Sequence, residues 1–530
     1  MQNVRNIRPE GEKVSRAAGV VSVFTFLSRV LGLVRDMVIA ALFGSGLAAD
    51  AFFVAFRIPN LLRRLFAEGS LTIAFIPVFT EYLTRKGKDD AFEMARVILT
   101  LLSLALAVIT VLGLTFSPWI VRIQAFGFGG SGVKYDLTVL LTRITFPYIF
   151  FISIVAFFMG ILNSLRHFSA PAAAPILLNV GIIGGAFLIS PHLSEPIVGV
   201  AMGVFIGGFL QVALQIPWIV RSGIRLAPLW MPRHPAVKHI GKLMLPAVFG
   251  SAVYQFNQFM GTLLASFLPE GSISWLYYAD RVVQFPLGVF AIAISTAALP
   301  SLSGHAAEEN LKEFNKTLSH ALRLVFFVTI PATLGLLVLG KPIISILFER
   351  GEFTPYSASM TWEALFYYTL GLWAFSGIRV LVSAFYALQD TKTPVKVAVV
   401  ALVVNIALSL ALMGPLRHGG LALALSVASS LQFLLLALLL YHRIEGLAFR
   451  PVAVAAWRSL VASIIMALTV FSAEKWLLGF YPHATILASS ITLSLLVLLG
   501  AGVYFICSWI LRAEELWALI NMFRTSRKKE

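Results

Sequence analysis

The stretch that decides the fold is "SRVLGLVRDM", residues 28–37, which lies inside an apolar run from residue 17 to residue 43. As a helix rising about 1.5 Å per residue, a run of this length spans the roughly 30 Å of bilayer hydrocarbon. Within the stretch stand three charged residues, Arg29, Arg35 and Asp36. An arginine at the bilayer centre costs roughly 2.5–3.5 kcal/mol on insertion scales. The stretch therefore predicts a membrane helix whose charges face water, a ligand or each other.

The composition extends this prediction to the whole chain. Of the 530 residues, 58% are hydrophobic and only 12% are charged, and the mean hydropathy is +0.87. A soluble domain cannot bury so much apolar surface, so these values indicate a polytopic membrane protein. The apolar runs are long and continuous, which favours helices over barrel strands. The single cysteine, Cys507, excludes an intramolecular disulfide.

Fourteen apolar segments are long enough to cross a membrane, so we predict an all-α protein with about 14 transmembrane helices. They lie near 17–43, 49–82, 92–118, 137–163, 171–190, 197–221, 239–268, 274–302, 314–340, 357–388, 394–413, 419–442, 453–478 and 484–511. With this number of spans the basic loops fall on one side, and the positive-inside rule places both termini in the cytoplasm. On the opposite side, the glycine-rich segment 118–135 is predicted to be a flexible loop.

The sequence also contains an internal repeat. "AFIPVF" at 74–79 matches "AALPSL" at 297–302. Each half holds six predicted spans, an even number, so the two halves cross the membrane in the same direction. This pattern predicts two parallel six-helix lobes around a central cavity, which is a transporter architecture. The predicted divisions are an N-terminal lobe at 1–237, a C-terminal lobe at 238–445, and two additional helices with a basic tail at 446–530.

The predicted spans hold more arginines than carboxylates. The arginines are Arg29, Arg35, Arg57, Arg63, Arg64 and Arg281, and the carboxylates are Asp36, Asp50, Glu68 and Asp280. Guanidinium groups bind phosphate oxygens in pairs and stay charged at any pH. We therefore predict a cavity that receives an anion, either a phosphate or a pyrophosphate. The sequence offers no nucleophile–base pair and no His or Cys cluster, so neither an enzyme nor a metal site is expected.

Structural roles stay open for several of these residues. The alternatives are snorkelling anchors for Arg63 and Arg64, ion pairing among Arg35, Asp36 and Asp50, and a helix cap or a bond to Arg64 for Glu68. Arg29 is hardest to explain in this way, because it lies about 18 Å along the first predicted helix, near the bilayer midplane. It is therefore the leading candidate for a substrate contact.

Three motifs carry a resemblance to a known family. "SRVLGLVRD", "ADAFFVAFRIPNLLRRLFAEGSLTIAFIPVF" at 49–79 and "YYADRVVQFPLGVFAIAISTAALPSLS" at 277–303 strongly resemble the MurJ (MviN) family of bacterial lipid II flippases. This family belongs to the multidrug/oligosaccharidyl-lipid/polysaccharide exporter superfamily. The resemblance covers essentially the whole chain, including the number of predicted spans.

The resemblance implies a substrate and a mechanism. The substrate would be lipid II, an undecaprenyl-pyrophosphate that carries the disaccharide-pentapeptide unit of peptidoglycan. Alternating access would move it from the cytoplasmic to the outer leaflet of the bacterial inner membrane. The residues that match the family's required positions are Arg29, Arg35, Asp50, Arg63 and Arg281. Residues of second rank are Asp36, Arg57, Arg64, Glu68 and Asp280.

Further expectations concern coupling, partners and alternatives. No cofactor is expected, and the resemblance implies coupling to the membrane potential or to a monovalent cation. The expected partners are lipid II, membrane lipids and cell-wall synthesis proteins, and not nucleic acid. The alternatives are an exporter of another polyprenyl-pyrophosphate-linked oligosaccharide and a non-transporting scaffold.

We also expect the last two helices to form a lateral groove for the lipid tail, lined by Ala462, Ser463, Ala488, Ser489 and Ser490.

Overall fold

A computed structural model describes residues 10–63, 72–444, 449–480 and 485–518, which form helices joined by short turns. The helices are α1 Glu10–Phe43, α2 Leu47–Leu62, α3 Thr72–Arg85, α4 Lys88–Thr115, α5 Ser117–Gln124, α6 Val133–Thr145, α7 Tyr148–Ser164, α8 Ser169–Gly184, α9 Ile197–Arg221, α10 Pro235–Ala265, α11 Ser272–Pro286, α12 Ile292–Ala307, α13 Leu311–Phe348, α14 Pro355–Thr369, α15 Leu372–Ala387, α16 Lys392–Arg443, α17 Arg450–Phe480 and α18 Ile486–Ile510. The predicted all-α membrane class is confirmed.

The described helices account for many of the predicted spans. Eight are long and apolar enough to cross a membrane, and a ninth is gained if α14 and α15, bent by 44°, form one span. The predicted span 197–221 coincides with α9. Two predicted spans lie in α16, which is broken at Arg417, where φ is 48° and ψ is −130°. The number fourteen stays a prediction.

Two predicted spans are interrupted. The span predicted at 49–82 is divided into α2 and α3, and residues 64–71 between them lie outside the described part of the chain. The span predicted at 137–163 is confirmed as one of the eight candidate spans, Val133–Ser164, with a local break between α6 and α7 at Phe146 and Pro147. Pro147 has no backbone N–H to continue the helical ladder, which explains the break.

The predicted flexible loop at 118–135 instead contains α5 and a 3-10 turn, Phe126–Phe128. Gly127 donates its backbone N–H to Ser266 Oγ at 2.9 Å. A Cβ at Gly127 would lie 2.3 Å from the Ser266 backbone oxygen. Here the glycine permits a close contact with the segment after α10, so its role is packing and not chain flexibility.

Glycines also explain how α8 and α9 pack. A Cβ at Gly203 would lie 2.5 Å from the backbone oxygen of Gly181, and one at Gly185 would lie 2.3 Å from that of Gly199. The sequence spacing of glycines in this span predicts such an approach, and the structure confirms it. The two helices are in direct backbone contact.

The chain forms two compact units, residues 1–271 and 272–530. Helix starts recur in both at the spacing of the sequence repeat. The paired starts are Lys88 and Leu311, Tyr148 and Leu372, and Ser169 and Lys392. The number of residues between the two starts of each pair equals the number between residues 74 and 297, to within a single residue. The repeat is thus present in the backbone of both units. The lobe boundaries at 1–237, 238–445 and 446–530 stay predictions.

The helix ends repeat as well. After α7, His167 N–H donates to Leu162 O at 2.7 Å, and after α15, Asp390 N–H donates to Phe385 O at 2.9 Å. Arg166 and Gln389 occupy the left-handed region in these two turns, with φ of 63° and 56°. Non-glycine residues rarely adopt this conformation, so its recurrence at the repeat spacing is a specific mark of the repeat.

The last two helices pack within the second unit. The Tyr504 hydroxyl on α18 donates to the backbone oxygen of Phe327 on α13 at 2.6 Å. Ala462 and Ser463 on α17 are fully buried, and Ala462 packs in an apolar cluster with Phe327. These two small residues therefore serve helix packing, and their predicted place in a lateral groove is wrong.

Candidate functional site

Arg29 lies on the exposed surface of α1. It precedes the end of that helix at Phe43 by fourteen residues, or about 21 Å along the axis. Exposed leucine, valine and phenylalanine side chains surround it along the helix, including Phe26 and Val30. A guanidinium at this depth requires water or a polar ligand beside it, because lipid cannot hydrogen-bond it.

Arg35, two turns further along α1, is buried. Its Nε and Nη2 donate to the same oxygen, Asp36 Oδ1, at 3.0 and 2.6 Å. Its Nη1 donates to Asn179 Oδ1 on α8 at 3.2 Å. Arg35 is 7% exposed and Asp36 is 1% exposed. The ion pair between neighbours, left open by the sequence, is therefore formed in this conformation.

Asn179 is a residue that sequence reasoning missed. Besides accepting from Arg35, its Nδ2 donates to the backbone oxygen of Ser28 at 3.1 Å. The amide packs over Gly32, where a Cβ would lie 3.8 Å from Asn179 Nδ2, an ordinary van der Waals distance. One buried amide thus joins α8 to the part of α1 that carries both arginines. An amide within an otherwise apolar span was the only available signal.

Asp50, in the first turn of α2, lies in a second buried ion pair. Its Oδ2 accepts from Lys134 Nζ at 2.8 Å and from the backbone N–H of Gly271 at 2.9 Å. Asp50 is 1% exposed, and the Lys134 ammonium also lies over the Phe128 ring at 4.3 Å from its centroid. Sequence reasoning missed Lys134, because the residue falls in the predicted loop.

Another carboxylate closes the start of α2. Glu270 Oε1 accepts the backbone N–H of Leu47 at 2.6 Å. It also lies 3.1 Å from where a Cβ of Gly46 would stand, so the glycine leaves room for it. Carboxylates stabilise helix N-termini by satisfying unpaired N–H groups and by opposing the helix dipole. The start of α2 is therefore tied to the segment between α10 and α11.

Arg57 and Arg63, further along α2, are partly exposed. Arg57 Nη1 donates to the hydroxyl of Thr262 and to Gln258 O, the latter at 3.3 Å, both on α10. Arg63 Nε donates to Asn60 Oδ1 at 3.0 Å. Two further site residues of the prediction, Arg64 and Glu68, lie outside the described residues.

Within the second unit, the predicted residues Asp280 and Arg281 lie on α11, and both are partly exposed. Arg281 Nη2 donates to Tyr277 Oη at 2.6 Å, and its guanidinium carbon lies 4.8 Å from the centre of the Tyr277 ring. Asp280 accepts a hydrogen bond from Gln284. The tyrosine holds the arginine by a hydrogen bond and a cation–π contact together.

The chemistry of these residues suits anion binding. Among the described residues, no group of three or more His, Cys, Asp or Glu is placed to hold a metal ion. The first unit instead presents Arg29, Arg57 and Arg63 with some or all of their surface accessible. Guanidinium groups in a low-dielectric setting bind phosphate oxygens by charge-assisted hydrogen bonds.

Comparison with known protein families gives a consistent result. A family model described as "Lipid II flippase MurJ" matches residues 39–487. A probable lipid II flippase MurJ of Vibrio cholerae serotype O1 is 42% identical over 432 residues, which cover 80% of this chain and 82% of the relative. The lipid II flippase MurJ of Burkholderia cenocepacia is 40% identical over 432 residues, with 81% and 84% covered.

Solved structures agree with the sequence relatives. A structure of a lipid II flippase MurJ in an inward closed conformation matches with a TM-score of 0.77 and 30% identity, covering 93% of this chain and 98% of that one. An inward-facing multidrug transporter of the MATE family matches with a TM-score of 0.69 and 14% identity, covering 81% and 98%. The second likeness shows a shared fold alone.

Proposed function

We propose, for a chain that belongs to the MurJ family of lipid II flippases, that arginines of its membrane helices bind the pyrophosphate of lipid II during transport. Membership of this family makes the protein a multi-pass membrane transporter of lipid II and not an enzyme. The roles of individual residues are the proposal, with Arg29, Arg63 and Arg281 as the leading contacts.

The observation that carries the proposal is the position of Arg29. Its charge is exposed about 21 Å from one end of α1. An arginine that faced hydrocarbon at this depth would cost a few kcal/mol, because no hydrogen-bond partner would compensate its charge. A wet path through the membrane that receives an anionic head group gives this charge a partner. Arg57 on the next helix and Arg63 at its end are also partly accessible.

Arginine also suits the energetic problem of moving a lipid head group. A pyrophosphate with attached sugars must lose its hydration to enter a membrane, which is prohibitive without replacement partners. Guanidinium groups replace those water molecules with fixed donors that match phosphate oxygens in pairs. The polyprenyl tail needs no such replacement and remains in the lipid. Transport of this kind breaks no covalent bond.

We further propose the orientation and the compartment. If the fourteen predicted spans all cross the membrane, the basic loops and the basic tail at 524–529 fall on the same side as both termini, which supports a cytoplasmic location for both ends. The membrane is proposed to be the bacterial inner membrane, where lipid II is made on the cytoplasmic leaflet. Cell-wall synthesis proteins are proposed as partners on the outer side.

Coupling is proposed to use the membrane potential or a monovalent cation. A charge moving across the membrane potential changes free energy by about 2.3 kcal/mol per 100 mV. In vesicles, clamping the potential with potassium and valinomycin, with and without a sodium gradient, separates the two sources. A transport rate insensitive to both would contradict coupling.

Reconstituted transport tests the substrate site. Arg29→Ala, Arg63→Ala and Arg281→Ala are compared for transfer of fluorescent lipid II across vesicles and for binding of lipid II in detergent. Each should weaken binding and transport about tenfold or more, because hydrogen bonds to charged groups contribute roughly 1.5–3 kcal/mol. Arg85→Ala is the matched control, because Arg85 is exposed and pairs only with the exposed Glu81 at 3.0 Å.

The possible outcomes test the site, the selectivity and the assay separately. Full activity of all three alanine variants would remove these arginines from the site. Equal transport of lipid II and of an undecaprenyl-pyrophosphate bearing an unrelated oligosaccharide would favour the broader exporter over a lipid II-selective one. Loss of activity in the Arg85 control would mean that the assay reports general damage.

A further inference from the structure

The ion pair between Asp50 and Lys134 is an unusual feature of the first unit. The Asp50 side chain is 1% exposed and the Lys134 side chain 19% exposed, with 2.8 Å between Nζ and Oδ2. Removing two charges from water is expensive, and a protein retains such a pair only if its geometry is good. Lys134 lies outside the sequence motifs that predicted the substrate site. Its role is therefore a separate question.

The Asp50 carboxylate joins three segments of the first unit. It belongs to α2, it receives Lys134 from α6, and it accepts the N–H of Gly271. Gly271 is the last residue of the first unit and directly precedes the start of α11 at Ser272. Its φ of +94° lies in the left-handed region, which favours glycine. The connection into the second unit thus has a defined bend, and that bend is hydrogen-bonded to Asp50.

We propose that Lys134 is a positioning residue for transport: it fixes the Asp50 carboxylate that holds the Gly271 bend, and it does not bind lipid II. The backbone passes from the first unit to the second directly after Gly271, so the backbone angles at residues 269–271 are placed to absorb a movement during transport. Hinges in proteins are short segments of this type, whose backbone angles absorb the motion. The proposal goes beyond the role assigned to the arginines and does not depend on it.

The alternative is that Asp50 acts directly on the substrate. A double-variant experiment separates the two. Asp50→Asn leaves Lys134 without its carboxylate, and Lys134→Met leaves Asp50 buried without its ammonium. Asp50→Asn/Lys134→Met removes both charges and keeps an amide that can still accept the Gly271 N–H. If Asp50 works through Lys134, the double variant should transport better than either single variant.

The expected results are specific. Asp50→Asn and Lys134→Met should each lower lipid II transport in vesicles about tenfold, since a buried charge without its partner strongly disturbs its surroundings. The double variant should recover to within about threefold of the parent protein, and Lys134→Arg, which keeps the charge, should do the same. The dissociation constant for lipid II in detergent should stay unchanged in all four. Lys316→Met is the control, because Lys316 forms an exposed pair with Glu313 at 2.6 Å.

Three results would overturn the proposal. The first is a double variant that folds but transports no better than Asp50→Asn alone, since Asp50 would then act without Lys134. The second is weaker lipid II binding by Lys134→Met in proportion to its loss of transport, which would make Lys134 a substrate contact. The third is full transport by Lys134→Met. If Asp50→Asn and Lys134→Met fail to fold, Lys134→Arg and the double variant decide the question.

Discussion

Asn179 donates its side-chain N–H to the backbone oxygen of Ser28 at 3.1 Å, and this bond fixes α8 against the turn of α1 that presents Arg29. The same amide accepts from Arg35 at 3.2 Å. Its oxygen and its nitrogen are thus both engaged, and each contact reaches a segment that carries a site arginine. A neutral side chain on one helix therefore sets the geometry of two charges on another.

Replacing Asn179 should consequently impair transport without removing any charge. Asn179→Leu loses both bonds and leaves a buried guanidinium with one acceptor fewer, at a cost of about 1–3 kcal/mol in the free energy of unfolding. Lipid II binding should weaken as well. Gln211→Leu is the control: Gln211 is similarly buried and donates to Ala174 O at 3.0 Å, but this bond does not involve an arginine. Comparable binding losses in both variants would argue against the positioning role of Asn179.

The contact between α8 and α9 predicts that substitutions at two glycines, Gly203 on α9 and Gly184 on α8, change stability in different ways. Gly203→Val should lower stability by about 1–3 kcal/mol, because its side chain would meet the Gly181 backbone. A Cβ at Gly184 would have no neighbouring atom within 4 Å, so Gly184→Ala should be neutral or stabilise the helix by up to about 1 kcal/mol. Thermal unfolding in detergent measures both. A stable Gly203→Val protein would mean that the two helices separate without cost.

The Arg29 side chain should tolerate lysine only in part. Lysine keeps the positive charge but offers a single ammonium in place of the planar fork that matches two phosphate oxygens. We expect Arg29→Lys to lie between the parent protein and Arg29→Ala in lipid II binding, at about one third of the parent affinity. Titration of labelled lipid II in detergent provides the measurement. Lysine equal to arginine would show that charge alone matters at this position.

Asp390 gives a prediction about pH. Burial works to raise its pKa, but hydrogen bonds from the Thr393 N–H and hydroxyl and from Arg443 outweigh this and lower the pKa from 3.8 to about 2. Because the folded-state value is the lower one, the stabilisation is complete above about pH 4 and is lost as pH falls through about 2. Asp390→Asn should therefore be less stable by about 1–2 kcal/mol, equally at pH 5 and pH 8. A difference that shrinks between these two pH values would contradict this assignment.

Hydropathy and repeat spacing predicted much of the fold. Apolar runs locate α9 and most other long helices, since a membrane helix needs continuous apolar residues whatever it packs against. The turn at Arg417 falls between the predicted spans 394–413 and 419–442, whereas the break at Pro147 inside the span 137–163 was not predicted, because it acts through local backbone geometry that an average over a window conceals. The helix α5 within the segment 118–135 was missed for a related reason: Gly127 permits close packing against Ser266, and composition does not distinguish packing from flexibility.

The candidate site was predicted only in part. Charged residues inside apolar runs are conspicuous, so Arg29, Arg35 and Asp50 could be found from the sequence. Asn179 and Lys134 could not, because they meet their partners across 144 and 84 residues of chain. Such contacts follow from tertiary packing, and no local periodicity reports them. The burial of Asp50 likewise appears only when α2, α6 and Gly271 are seen together.

The repeated turns at Arg166 and Gln389 imply an ancient duplication, after which the two copies came to carry different side chains. At the repeat spacing, the position of Lys134 corresponds to Ser357, and that of Asn179 corresponds to Leu402. Backbone geometry has outlasted the divergence, whereas neither the ammonium of Lys134 nor the amide of Asn179 has a counterpart at the equivalent position. A cargo with a single head group has no internal symmetry. An asymmetric cargo therefore leaves two copies of one framework free to keep different side chains at equivalent positions.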